Sequence, residues 1–165
     1  MNTEYIFRQA TVEDQDEILA LYHSVVGTEF CAWTMEYPSK VHVDFDLSRD
    51  ALFCMRDLDG QLMGVISIDE DDNVNALDCW SKELVPSAEL SRLGVATKWH
   101  NQGVARALIT EVSRVCKERG YQATRFMVAK SNTKALRSYA KLEYTKVGQC
   151  HMYDCDYWCY EKEIQ

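Results

Sequence analysis

The sequence predicts a single domain, residues 1–165, of the α/β or α+β class with a mixed sheet. Three observations lead there. A chain of 165 residues that is 47% hydrophobic is long enough to bury one core. Its apolar residues alternate in some stretches and recur at helical spacing in others, in the order strand, two helices, three strands, helix, strand, helix, two strands. No repeat, low-complexity tract or linker interrupts that order.

Tyr5-Ile-Phe-Arg-Gln9 has the aromatic and β-branched character of a strand. Thr11 is placed to cap the next helix, with Asp14 at the capping-box position and Ile18, Leu21, Tyr22 and Val25 on one face. Gly27 is its expected stop. An aromatic connection with Phe30, Trp33 and Tyr37 follows, and Ser39 is read as the cap of a second helix whose apolar positions are Val41, Phe45 and Leu47. Leu52–Arg56 and Gln61–Ile68 flank the turn Asp57-Leu-Asp-Gly60, whose Asp-Gly pair suits an antiparallel hairpin.

Residues 69–87 are polar and carry no clear period. From Ala88 to Ala96 a strand is expected, but Leu90, Leu93 and Val95 do not share one parity, and a bulge near Ser91–Arg92 reconciles them. After Gly103 a helix presents Ala105, Leu108, Val112 and Val115 and ends at Gly120. Thr124–Val128 is a short strand, and Ala135, Leu136, Tyr139 and Ala140 mark another helix. Strands around residues 145–150 and 157–161 close the chain.

Composition excludes several functions. A net charge of −8 argues against nucleic-acid or anionic-membrane surfaces, which need clustered Lys and Arg. No apolar run reaches the roughly 18–20 residues of a membrane span, and the N-terminus lacks a signal-peptide pattern. Seven cysteines without a Cys-x-x-Cys pair read as free thiols, so a cytoplasmic location is expected. No metal is expected: the four histidines lack ligand spacing, and Cys155 and Cys159 lie too far apart along a strand to share an ion easily. The acidic stretch Asp69-Glu-Asp-Asp72, Asp78, Glu83 and Glu89 has one base, Lys82; it reads either as a solvated loop or as a mouth that attracts a cation.

Two stretches carry chemistry. In His100-Asn-Gln-Gly-Val-Ala105, Gly103 admits close backbone approach, and the N–H groups of Gln102, Gly103, Val104, Ala105 and Arg106 open a helix, where a phosphate is favoured. No Gly-Lys-Ser/Thr follows, so this is not a nucleotide P-loop. In Asn132-Thr-Lys-Ala-Leu-Arg-Ser-Tyr139, Asn132 reads as an N-cap and Tyr139 lies two turns on, either as a core aromatic or as a phenolic acid. Trp33, Tyr37 and Trp80 read as core aromatics, with an acceptor pocket as the other use.

Taken together, Arg92-Leu-Gly-Val95, Gln102-Gly-Val-Ala105, and Asn132 with Tyr139 resemble the GNAT-type N-acetyltransferase superfamily. The likeness extends to Phe7–Asp14, Gly64–Ile68 and Tyr160–Lys162. It implies a mostly antiparallel sheet of about seven strands flanked by about four helices, and acetyl-CoA as co-substrate. It further implies that the backbones of Leu93 and Val95 pair with the pantetheine arm, where neighbouring strands splay. Residues Gln102–Arg106 would hold the pyrophosphate, Asn132 would contact the cofactor, and Tyr139 would be the general acid at sulfur. His100 departs from the usual Gln or Arg, and Glu143-Tyr144 stands where the family often has Gly-Phe.

The reaction so implied is direct attack of a primary amine on the thioester in a ternary complex. Val95 N–H is the candidate donor to the oxyanion, Glu89 the first candidate base and Glu70 the second. The expected acceptor is a small-molecule amine, a cation if the acidic stretch forms the mouth, with the protein a monomer or homodimer. The alternative is a non-catalytic acetyl-CoA-binding or regulatory module, for which an acid at the thiol has no use.

Overall fold

The computed structural model describes residues 3–165. Strands β1 (Tyr5–Gln9), β2 (Leu52–Asp57), β3 (Leu62–Asp69), β4 (Ser87–Val95), β5 (Ala123–Ala129), β6 (Thr145–Met152) and β7 (Cys155–Glu163) form one sheet. Its order is β1-β2-β3-β4-β5-β7-β6. β4 and β5 pair in parallel, whereas β1–β2, β2–β3, β5–β7 and β6–β7 are antiparallel, so the sheet is mixed and mostly antiparallel as expected. The α-helices are α1 (Gln15–Ser24), α2 (Lys40–Ser48), α3 (Asp72–Asn75), α4 (Val104–Glu118) and α5 (Thr133–Tyr139). Within the domain the described residues cluster into two compact units, residues 3–68 with Arg92–Val112, and Asp69–Ser91 with Ser113–Gln165. Among the described residues no helix is long and apolar enough to cross a membrane.

In the first unit, Ala10, Ile18, Leu21, Tyr22, Val43, Leu52, Cys54 and Val65 form a buried cluster, with Trp33 packed against it. The capping box is present: Asp14 accepts the Thr11 backbone N–H at 2.8 Å. The same carboxylate also takes both terminal nitrogens of Arg8 at 2.8 Å and one of Arg56 at 2.9 Å. Hydrogen bonds from these guanidiniums hold its pKa well below the usual carboxylate range. Gly60 closes the β2–β3 hairpin at φ +84°, its N–H donating to Asp57 O at 3.0 Å. Gly64 is tight for another reason, since an added Cβ would lie 2.8 Å from Leu108 Cδ1 and 2.9 Å from the Gly94 carbonyl oxygen.

Two expected helix faces are corrected. On α2, Val41 and Phe45 are exposed and Leu47 half-buried, while Val43 and Asp46 point inward. The inward position is polar because Asp46 receives charged donors, which an apolar pattern does not register. On α4 the buried residues are Val104, Leu108, Ile109, Val112 and Cys116, whereas Ala105 and Val115 are only half-buried. The face is turned by about one residue because Val104, rather than Ala105, begins the row.

The second unit contains a helix that its polar sequence hid, the single turn α3, begun by the Asp71 carboxylate accepting Asn73 N–H at 2.9 Å. Asp71 also accepts the Tyr153 hydroxyl at 2.6 Å, so part of the acidic stretch serves local structure. Val74, Trp80 and Cys159 form this unit's buried cluster, and the Trp80 indole donates to Val74 O at 2.8 Å. Trp80 is therefore a core residue, Trp33 is half-buried against the first unit's core where it meets Tyr22 edge-on at 5.3 Å, and Tyr37, expected in the core, is exposed. After α5 the chain turns through Glu143 at φ +62°, taking the left-handed conformation in which a glycine would be at ease. β6 ends the sheet; the ammonium groups of Lys146 and Lys130 lie 4.0 Å and 4.1 Å from the centre of the Trp158 ring.

Candidate functional site

The first unit brings together Leu93, Val95 and residues Gln102–Arg106. The bulge expected near Ser91–Arg92 has its counterpart in Arg92, a non-glycine residue at φ +45° inside β4. Its guanidinium explains how that backbone is held: Nε and Nη2 donate to the fully buried Asp46 carboxylate at 2.9 Å and 2.6 Å. Arg49 and Ser67 donate to the same carboxylate at 2.8 Å and 2.7 Å, leaving its charge well compensated. The parity break was the signal for this site. Nothing in the periodicity pointed to Asp46.

Beyond the strand, His100 Nε2 donates to the Val95 carbonyl oxygen at 2.8 Å, so this side chain folds back onto β4. Asn101 and Gly103 adopt φ +61° and +80°, and Gln102, exposed between them, donates through Nε2 to Lys98 O at 3.0 Å. The first rung of α4 is Ala107 N–H to Gly103 O at 3.1 Å. The N–H groups of Val104, Ala105 and Arg106 thus precede the helix ladder, at the positive end of a fifteen-residue helix. Val104 is buried while Ala105 and Arg106 are half-buried, so the small side chain leaves the turn approachable. This donor set fits a pyrophosphate.

The second unit carries Glu89, Asn132 and Tyr139. Asn132 is an N-cap, its Oδ1 accepting Ala135 N–H at 3.0 Å, which leaves its amide nitrogen for a cofactor contact. Tyr139 is half-buried and meets Phe126 edge-on at 5.4 Å. Burial pushes its phenol up to about 12, and at neutral pH it is wholly in the acid form.

Glu89 is buried at 6% exposure, whereas Glu70 is exposed at the end of β3. The parallel ladder of β4 and β5 runs Ser87–Ala123, Ala88–Thr124 and Glu89–Arg125. Arg125 is therefore directly across from Glu89, and its guanidinium stacks over Trp80 at 4.8 Å and hydrogen-bonds Asn75. Desolvation lowers the Arg125 pKa, and the charges of Glu89 and Glu161 oppose that shift. Glu161, also buried, accepts Ser81 N–H at 3.2 Å. Sequence reasoning missed Arg125 and Glu161 because both alternate normally within strands. Successive residues of β5 face opposite sides, so Glu89 with Arg125 lies on one face and Phe126 with Tyr139 on the other. Among the described residues no group of three or more His, Cys, Asp or Glu is arranged to hold a metal.

Residues 18–144 match the family described as the Acetyltransferase (GNAT) family. No curated protein matches the sequence. Several solved structures share the fold. A GNAT-family acetyltransferase from Streptococcus agalactiae 2603 superposes with a TM-score of 0.79 at 15% identity, over 99% of each chain. A ribosomal-protein-alanine N-acetyltransferase from Brucella melitensis gives 0.74 at 19% identity, over 96% of this chain and 99% of that one. An N-acetyltransferase from Staphylococcus aureus Mu50 gives 0.73 at 18%, over 99% and 100%.

Proposed function

The chain belongs to the GNAT acetyltransferase family, and from that premise we propose that it transfers an acetyl group from acetyl-CoA to a primary amine by direct attack in a ternary complex. The observation that carries the reading is the turn at Asn101–Gly103, two positive φ angles opening a long helix whose first N–H groups precede its ladder. Bound acetyl-CoA would supply an activated thioester carbonyl. The chain's residues then have separable tasks. Backbone groups of Gln102, Gly103, Val104, Ala105 and Arg106 hold the pyrophosphate, and those of Leu93 and Val95 pair with the pantetheine amides. Val95 N–H donates to the carbonyl oxygen as negative charge develops on it. The Asn132 amide contacts the cofactor arm.

An alkylamine has a pKa of about 10.4, so only about one molecule in a few thousand is neutral at pH 7. Glu89 takes the proton, directly or through water. Tyr139 delivers one to the departing sulfur, and its raised pKa ensures that the proton is present across the physiological range. The acceptor is a small cationic amine, drawn by the acidic residues between Asp69 and Glu89. The protein acts as a monomer or homodimer in the cytoplasm, without nucleic acid or membrane.

One observation favours the second reading, a non-catalytic acetyl-CoA-binding module. Arg125 opposite Glu89 suits a structural ion pair as well as a base. The two readings part in a CoA-release assay, with a thiol reagent, over a panel of cationic and neutral amines. Turnover is expected with cationic amines foremost. Tight binding of acetyl-CoA with no CoA release on any amine would leave only the module.

A further inference from the structure

Four sulfur-bearing side chains of the second unit gather on one face of its last strands. Cys159 on β7 stands directly across from Met127 on β5 and from Gly148 on β6. Cys150 follows Gly148 by two residues, on the same face, and its thiol lies 3.6 Å from Met127 Sδ. The loop after α3 lays Cys79 onto the glycine. A Cβ added to Gly148 would come within 2.5 Å of Cys79 Cβ and 3.3 Å of its Sγ. The missing side chain is what admits Cys79 to the place opposite Cys159. The Cys159 thiol is hydrogen-bonded to the thiols of both Cys79 and Cys150, so the Cys79 sulfur is an immediate neighbour of Cys159.

All the cysteines are free thiols; Cys159 is fully buried, and Cys79 and Cys150 are half-buried. Cys159 is closed off from solvent and Cys150 is engaged with Met127 Sδ, so Cys79 is the sulfur of this cluster that an oxidant in solution meets first.

We propose that Cys79 and Cys159 form a reversible disulfide when the protein meets a hydroperoxide, a modification independent of the acyl-transfer reading. The Cys79 sulfur attacks the peroxide, the O–O bond breaks, and a sulfenic acid forms with release of water. The Cys159 sulfur then attacks the sulfenyl sulfur, the S–O bond breaks, an S–S bond forms and a second water leaves. Two thiols are oxidised and one hydrogen peroxide is reduced. The bridge would fix the loop that carries Trp80 and Ser81. These residues hold Arg125 through its guanidinium at 4.8 Å and Glu161 at 3.2 Å.

The test treats the full chain with hydrogen peroxide, alkylates the remaining thiols and maps the peptides by mass spectrometry before and after dithiothreitol. The protein is expected to lose two of its seven titratable thiols and to yield a Cys79–Cys159 cross-linked peptide that dithiothreitol removes. Cys79→Ser, at a half-buried site, should abolish that peptide, and Cys150→Ser should keep it. The proposal is overturned if Cys79 and Cys159 both stay alkylatable while thiols are lost elsewhere. A Cys150–Cys159 link, or links between chains only, overturns it equally.

Discussion

At Asp14 one buried carboxylate accepts two arginines and a backbone N–H, and the hydrogen bonds from Arg8 do most to hold its pKa down. Its folded pKa is depressed, so the stability it contributes is complete above the ordinary carboxylate pKa of about 3.9 and is lost as pH falls towards the folded value. Urea unfolding at pH 7 and at pH 3 should differ for the wild type, and the difference should shrink in Asp14→Asn. That variant should lose about 1–3 kcal/mol at pH 7, because Arg8 loses its carboxylate partner while Arg56 keeps Glu17. Thr11 and Asp14 were legible from the sequence as a capping box, a local signal. Arg56 lies 42 residues away, and no local signal reports it. At Tyr139 the expected change is chemical: Tyr139→Phe should slow CoA release about 10²-fold with acetyl-CoA binding preserved, since only the proton donor is removed. Glu89→Gln should flatten the acid limb of the rate–pH profile; an unchanged profile would remove Glu89 from the mechanism.

Elements divide by what controls them. Strands bounded by turns were readable, and α4 was placed by its glycine although its buried face is turned by about one residue. α2 was read on the wrong face, since Asp46 is drawn inward by Arg92, Arg49 and Ser67, three donors distant in sequence or invisible to periodicity. The irregular backbone at Arg92 in β4 was readable as a break in parity, although not the grip of its side chain on α2. The turn that opens α4 was legible almost completely, since glycine and helix start are both local. Two substitutions test the element scale. Glu143→Gly, in the left-handed turn after α5, should raise stability by about 0.5–1 kcal/mol in chemical denaturation, strain relief exceeding the added chain entropy. Gly64→Ala should lower it by about 1–3 kcal/mol, because the Gly94 carbonyl at 2.9 Å belongs to backbone and cannot rotate aside.

For the whole molecule, the net charge of −8 sets the long-range field that an approaching substrate meets. With a cationic amine, raising salt from about 0.01 M to 0.15 M shortens the screening length from about 30 Å to 8 Å. KM should rise several-fold and kcat change little, because steering acts on encounter rather than on chemistry. A neutral amine should not respond. The resemblance implied about seven strands, mostly antiparallel, but not their order, since which strands neighbour one another depends on pairings across the chain.

β6, at the end of that order, has a further consequence, for colloidal behaviour. An outermost strand offers a ladder of hydrogen-bonding groups to any other unfolded or native chain, the usual seed of fibrils. Here Thr145, Lys146, Gln149 and His151 are exposed along it, and Lys146 with Lys130 keeps two charges beside Trp158. A strand added from another molecule would have to desolvate those ammonium groups, so the edge discourages its own propagation and favours a protein that stays dispersed when concentrated.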